Sequence, residues 1–359
     1  MEDKHLLDIY TDYLISSFGQ STATGLSRTL DGAISHDSIT RMLSERVWTN
    51  KDLWLTVKPF VRQIQTEDGV LICDDTISEK PSTDENEIVC WHYDHCQGVN
   101  VKGINIVSLL YHSNGANVPV ATELVRKKRE IKDLKTGKVK RKSDVNKNQQ
   151  FRSMLKEFQR TQTPYRYVLA DSWYASSESL MFIRHEIEKH FVMPSKSNRL
   201  VALSGQDKKN GKYIHCSDLE FKENQSQEVW IESVDFPMLL AKQVFTNKDN
   251  SIGILYLLTS DLSLNYAEIT TIYKKRWNVE RYHQSLKSNL GLEKSPTQTP
   301  KTQSNHIFAC LCAFVKIEAL SIASKLNHFA LKAKLYLKAL QSALKELNEF
   351  KSVYRIPSA

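Results

Sequence analysis

The sequence predicts an α/β fold, and three observations carry that expectation. A short apolar, β-branched run at 70–76 (VLICDDT) follows Gly69 and ends in acid, as a buried strand would. From there to 193 the chain reads as three strands in succession, then helix, strand, helix, strand. A stretch without Gly or Pro from 265 to 290 then predicts one helix of about 25 residues.

Composition sets the outer bounds. The chain has 359 residues, 41% hydrophobic and 25% charged, which is ordinary for a soluble globular protein of two or three units. Its longest apolar run, nine residues at 307–315, is too short to span a membrane, so no membrane partner is expected. The acidic start MEDKHLLDIY lacks the apolar stretch of a secretory signal. Six cysteines do not make a disulfide framework in a chain this long, and a reducing cytoplasm is expected.

Taken in order, residues 1–66 read as a helical N-terminal domain. Leu6, Ile9, Tyr10, Tyr13 and Leu14 give one helical face, and two short helices follow around Asp31-Gly32, the second capped by Asp37. That pattern suits a helix-turn-helix reader of a DNA groove and equally a generic three-helix bundle. After the strand at 70–76, further strands are expected at 104–111 and 118–121, joined by the turn residues Ser113-Asn114-Gly115. A helix is expected at 148–160, a strand ending at Asp171, a helix at 176–190 and a strand at 191–193. Residues 196–252 hold short alternating segments and read as a β-rich insertion, with 253–325 returning to the core. An apolar helix at 305–326 should pack on that core. Leu331, Leu335, Leu340, Leu344 and Leu347 stripe a Lys-rich last helix within 326–359, which is either a dimer surface or the last core helix.

Charge is concentrated. Between positions 126 and 147 lie eleven Lys/Arg and three Asp/Glu, an excess of eight that equals the net charge of the whole chain. Lys138, Lys140, Arg141 and Lys142 sit at its centre. Such a segment suggests a polyanionic partner, most simply nucleic acid, against the plainer reading of a solvated loop.

The order of elements is that of a ribonuclease-H-like core, in which the first and fourth strands lie side by side. Asp171 and either Asp74 or Asp75 would then meet at adjacent strand ends. A buried aspartate pair is costly unless neutralised, and hard carboxylate oxygens favour Mg²⁺ or Mn²⁺. Cys90, His92, His95 and Cys96 offer four zinc ligands within seven residues, but spacings this short do not easily close a tetrahedron. His92 and His95 are expected to support the first carboxylate or to contact DNA.

The stretch 273–287, YKKRWNVERYHQSLK, places Tyr273, Arg276, Glu280 and Lys287 at offsets 0, 3, 7 and 14. On one continuous helix these fall in a stripe about 60° wide. Long helices often carry mixed charges that only pair with one another. Here the spacing Y-(2)-R-(3)-E-(6)-K resembles the signature of the DDE insertion-sequence transposases, the cut-and-paste, insertion-sequence-four-like group. The resemblance extends through DDT (74–76), WHYDHCQGVNVKGIN (91–105) and LADSWY (169–174). Neighbours in a strand point to opposite faces, so only one of Asp74 and Asp75 can aim at a site, and the family's D-x-T pattern selects Asp74.

The resemblance implies a retroviral-integrase-like catalytic core over 67–195 and 253–325, with a β insertion between. It implies Asp74, Asp171 and Glu280 as catalytic residues holding two divalent ions, and Tyr273, Arg276 and Lys287 as phosphate grips. Trp277, and Trp230 in the insertion, become candidate stacking surfaces for an unpaired base, with a packing role equally open. The partners implied are transposon-end DNA and target DNA, a homodimer at the DNA ends, and the nucleoid of a prokaryote. Two other functions stay open: a structure-selective nuclease with the same core, and a non-catalytic DNA-binding descendant.

Overall fold

The computed structural model describes residues 2–94, 97–132, 137, 139–221, 224–247 and 249–354. Three helices open the chain, α1 (Glu2–Ser16), α2 (Ala23–Thr29) and α3 (His36–Glu45). Thr22 caps α2, and Asp31 and Gly32, both at positive φ, turn the chain toward α3. The cap of α3 is Ser35, whose hydroxyl accepts from the Ser38 N–H at 3.2 Å, so Asp37 lies in the first turn instead of at the cap. Helix α4 (Asn50–Ile64) buries Leu53, Val57, Val61 and Ile64.

The sheet begins at β1 (Val70–Glu79), followed by β2 (Val89–Asp94), β3 (Val99–Ser113) and β4 (Ala116–Leu124). Asn114 and Gly115 at positive φ make the β3–β4 turn. The basic segment folds into a separate hairpin, β5 (Arg129–Lys132) and β6 (Val139–Lys142). Helix α5 (Lys147–Gln159) starts at a reciprocal cap between Asn146 and Gln149. Then come β7 (Tyr167–Ala170), α6 (Ser177–His185), β8 (His190–Ser195), β9 (Leu200–Ala202), α7 (Gly205–Lys209), β10 (Ile214–His215), β11 (Ser226–Ile231), β12 (Met238–Thr246) and β13 (Ile252–Thr259). Helices α8 (Tyr266–Lys274), α9 (Trp277–Asn289), α10 (Pro300–Ser324) and α11 (His328–Val353) finish the chain.

Two compact units result, residues 1–49 with 283–359 and residues 50–282. The second is a mixed α/β unit. Among the described residues one eleven-stranded sheet runs β10-β9-β11-β12-β13-β8-β7-β1-β3-β2, with β4 also on β3. Strands β1, β7 and β8 are parallel neighbours at its centre, and the strands of 196–252 continue the same sheet through β12 and β13. Strand β2 has no counterpart among the expected strands, because its Val-Cys-Trp-His-Tyr-Asp run looks polar; it pairs with the first part of β3.

The first unit is helical. Asn305 on α10 donates to the carbonyls of Leu43 and Arg46 at 2.8 and 2.6 Å, closing the end of α3. By length and composition α10 could cross a membrane, yet 61% of its apolar window is buried inside the protein.

Packing at the sheet centre makes a first prediction. Ile72 is fully buried, paired with Leu169 on parallel β7 and with Leu110 on antiparallel β3. Ile72→Ala should cost about 2–5 kcal/mol in urea unfolding, and a loss below about 0.5 kcal/mol would show that the sheet centre can collapse around the gap.

Candidate active site

Strand β1 is flanked by β7, parallel, and by β3, antiparallel. The last parallel pair is Cys73 with Ala170. The next residue on each strand is an aspartate, so Asp74 and Asp171 emerge side by side where both apolar runs stop. Ligand sites of α/β sheets form at such carboxyl ends.

The two acids feel one another. Burial, then Asp171 and Asp75, push the Asp74 carboxyl up to about 7, against the opposing pull of Arg276. Burial also raises Asp171, opposed by the N–H of Trp173, which reaches its Oδ1 at 2.9 Å, and reinforced by Asp75.

Asp75 lies on the other face. It accepts from Lys147 Nζ at 2.8 Å, Tyr174 Oη at 2.9 Å and Asn105 Nδ2 at 2.8 Å. Burial alone would raise its pKa; these three partners more than reverse that, and it lies below the ordinary value. Lys147 also stands 5.0 Å from the Trp173 ring centre. Sequence reasoning missed Lys147, Tyr174 and Asn105 as site residues. The one available signal was the Asn146-x-x-Gln149 cap, which starts α5 at Lys147 and so turns that lysine away from the basic hairpin.

The expected single helix is two. It breaks at Lys275 and Arg276, where the N–H groups of Lys275, Arg276, Asn278 and Val279 all bond to the residue three before them. Asn278 closes the break by donating its side chain to the Lys275 carbonyl at 2.8 Å. The stripe of side chains expected on one continuous helix is therefore broken between Tyr273 and Glu280. At the break sits Arg276, only 13% exposed, which donates to Glu280 Oε1 at 2.7 Å and to Asp74 Oδ2 at 3.5 Å. Its guanidinium lies 5.6 Å from the ring centres of both Tyr273 and Trp277. Burial pushes the Tyr273 hydroxyl up to about 12, with Arg276 pulling down and Asp171 adding.

Asp74, Asp75 and Asp171 thus form one electrostatic cluster, and Arg276 ties Glu280 to it. Among the described residues no group of three His, Cys, Asp or Glu side chains is placed to hold a metal ion. Trp277 is exposed, whereas Trp230 packs under Lys208 at 5.5 Å. Lys287, further along α9, pairs with Glu293 at 3.2 Å. Lys140, Arg141 and Lys142 lie on β6, with Arg141 bonded to Glu130 at 2.8 Å. Lys138, His95 and Cys96 fall outside the described residues. Cys90 donates to the Asn86 carbonyl at 3.0 Å. His92 is buried on β2 and lowered to about 4 by that burial, then by Lys127 and Lys147.

A mixed α/β unit with a carboxylate cluster at the ends of its central parallel strands is the class of protein these features define. The sequence model of the DDE superfamily endonucleases matches residues 2–214, more than half of the 359, and the chain belongs to that family. Membership makes it a nuclease-type enzyme with DNA as the substrate class. The match spans Asp74 and Asp171 and ends before Glu280. No curated protein sequence matches the chain.

The raised Asp74 carboxyl gives a pH signature. Its ordinary pKa of 3.8 applies unfolded and about 7 applies folded. The folded state therefore favours the protonated acid, and stability without metal should fall as pH rises from about 4 to 7. Asp74→Asn should flatten that part of the stability profile; an unchanged slope would assign it to other groups.

Proposed function

We propose that the protein is a DNA transposase that cleaves transposon ends and joins them to target DNA by phosphoryl transfer on a ribonuclease-H-like core. The observation that supports this most is the adjacency of Asp74 and Asp171 across the β1–β7 register, with Arg276 linking Glu280 to Asp74. Asp74 and Asp171 suit a hard divalent ion: they are oxygen donors whose mutual repulsion and burial a cation would relieve. Glu280 is the third donor in this reading, and its present partner is Arg276.

In this assignment Asp74, Asp171 and Glu280 hold two Mg²⁺ or Mn²⁺ ions. Bound there, the ions would activate the attacking water or 3′-hydroxyl and neutralise the leaving oxygen. The chain's own residues supply the rest. Arg276 can hold a phosphate through two parallel bonds, and Lys287 offers a point charge to a neighbouring one. Tyr273 supports the guanidinium from its buried side, while exposed Trp277 offers a face to an unpaired base. Lys140, Arg141 and Lys142 of the β5–β6 hairpin, together with Lys138, hold the DNA backbone in this reading. Transposon-end and target DNA are the substrates, and two copies act on two ends.

Replacing Asp74, Asp171 or Glu280 by Ala should bring cleavage of end DNA below detection while binding of the end changes little. Joining of a cleaved end to a target separates this reading from a structure-selective nuclease, the alternative favoured by the family's endonuclease description. Cleavage with no strand transfer on any end substrate would leave the nuclease.

Neutralising Lys138, Lys140, Arg141 and Lys142 together should weaken binding to every DNA sequence alike. For every phosphate that the hairpin no longer neutralises, the log–log salt slope should flatten by about 0.9. A slope equal to that of the wild type would mean that the hairpin is only solvated surface.

A further inference from the structure

The loop between β7 and α6 brings a second aromatic face to the carboxylates. Trp173 follows Asp171 by two positions, and its N–H donates to Asp171 Oδ1 at 2.9 Å. Its carbonyl accepts from Asn148 Nδ2 at 3.2 Å, which ties the loop to the first turn of α5. The backbone that carries the indole is thus fixed from both sides. The indole itself is half exposed, and the Lys147 ammonium stands 5.0 Å from its centre. That ammonium also donates to Asp75 Oδ1 at 2.8 Å. An indole seated on an anchored cation keeps one orientation, so little freedom is lost when a planar ligand lies on it.

Arg276 and Trp277 make a matching pair. There a guanidinium bonded to Glu280 lies 5.6 Å from the centre of another exposed indole. Arg276 reaches β1 through Asp74, and Lys147 reaches it through Asp75. Neighbours on a strand face opposite ways, so the two pairs come to the end of β1 from opposite faces of the sheet. All these residues belong to one compact unit, 50–282. A nucleotide strand laid across the ends of β1 and β7 would meet one indole on either side of a phosphate held at Asp74 and Asp171. Duplex DNA keeps its base faces inside its own stack, so two such indoles suit a strand whose bases are unpaired on both sides of that phosphate.

We propose that Trp173, seated on Lys147, is a second base-stacking site, which holds an unpaired DNA base on the Asp171 side of the reacting phosphate. This rests on the carboxylates being the place where the phosphate reacts, and adds the form of the DNA that they take.

The experiment needs neither cleavage nor strand transfer. The full chain is titrated into a short labelled single-stranded DNA of mixed sequence and into its duplex, without Mg²⁺ or Mn²⁺, so that both stay intact. Fluorescence anisotropy should show Trp173→Ala weakening the single strand roughly tenfold and the duplex by no more than about twofold. Trp173→Phe, which keeps a ring, should recover most of the loss, whereas Trp173→Leu, apolar without a ring, should not. Thermal melting of Trp173→Ala should match the wild type. A single strand carrying 5-iodouracil, irradiated on the wild-type protein, should give adducts at Trp173 as well as at Trp277, a readout that needs no variant. Unchanged single-strand binding by Trp173→Ala, an equal loss on the duplex, full recovery by Trp173→Leu, or adducts that omit Trp173 would overturn the site. A chain that forms the Trp173 adduct but joins no end to a target would keep this site and remove the transposase reading.

Discussion

Two aspartates forced together at the ends of neighbouring parallel strands set the terms for everything around them. Strands β1 and β7 are apolar until Cys73 and Ala170, so they bury completely and align without slack. The acids then have no freedom to separate. Repulsion between them, added to lost hydration, makes the ionised pair costly. The surrounding sequence answers with cations brought from far along the chain, Lys147 at the start of α5 and Arg276 between α8 and α9.

Strand geometry keeps those two cations in different roles. Adjacent residues of β1 face opposite ways, so Asp74 and Asp75 meet different neighbours. Asp75 is fully engaged by Lys147, Tyr174 and Asn105, which draw together β1, β3, α5 and the loop after β7. Asp74 accepts from the N–H of Asp75 next to it and takes a longer bond from Arg276, whose guanidinium is shared with Glu280. One aspartate is thereby fixed as part of the framework, while the other is held more loosely. In the proposed reading a phosphate would compete for Arg276 with the same two carboxylates, and substrate binding would then be coupled to release of the acids.

The helical unit uses polar bonds in another way. Ser285, His328 and Glu318 form a chain with spacings of 2.8 and 2.7 Å, the residue types of a nucleophilic relay. Ser285 is only 2% exposed, so no substrate reaches it, and the chain is a cross-link between α9, α10 and α11. Tyr10 and His306 make a similar buried link between α1 and α10 at 2.9 Å. These helices gain registration from such bonds, since each misalignment would strand a buried polar group.

Local pattern by itself determined the α/β class, the strand that carries Asp74, the strand that runs up to Asp171 and the Asn114-Gly115 turn. Each depends on residues within one turn or one strand, where periodicity and backbone preference act directly. The acid pairing also followed, because one arrangement of the expected elements puts the first and fourth strands together. The sequence misled at Arg276. Nothing between 265 and 290 disfavours a continuous helix, and the break sits where Arg276 meets Asp74, 202 positions earlier in the chain. Lys147 was hidden in the same way, grouped with the basic segment although its partner lies 72 positions earlier. Pairing of charges across the fold depends on which surfaces meet, and no local preference encodes that; only the assembled sheet decided it.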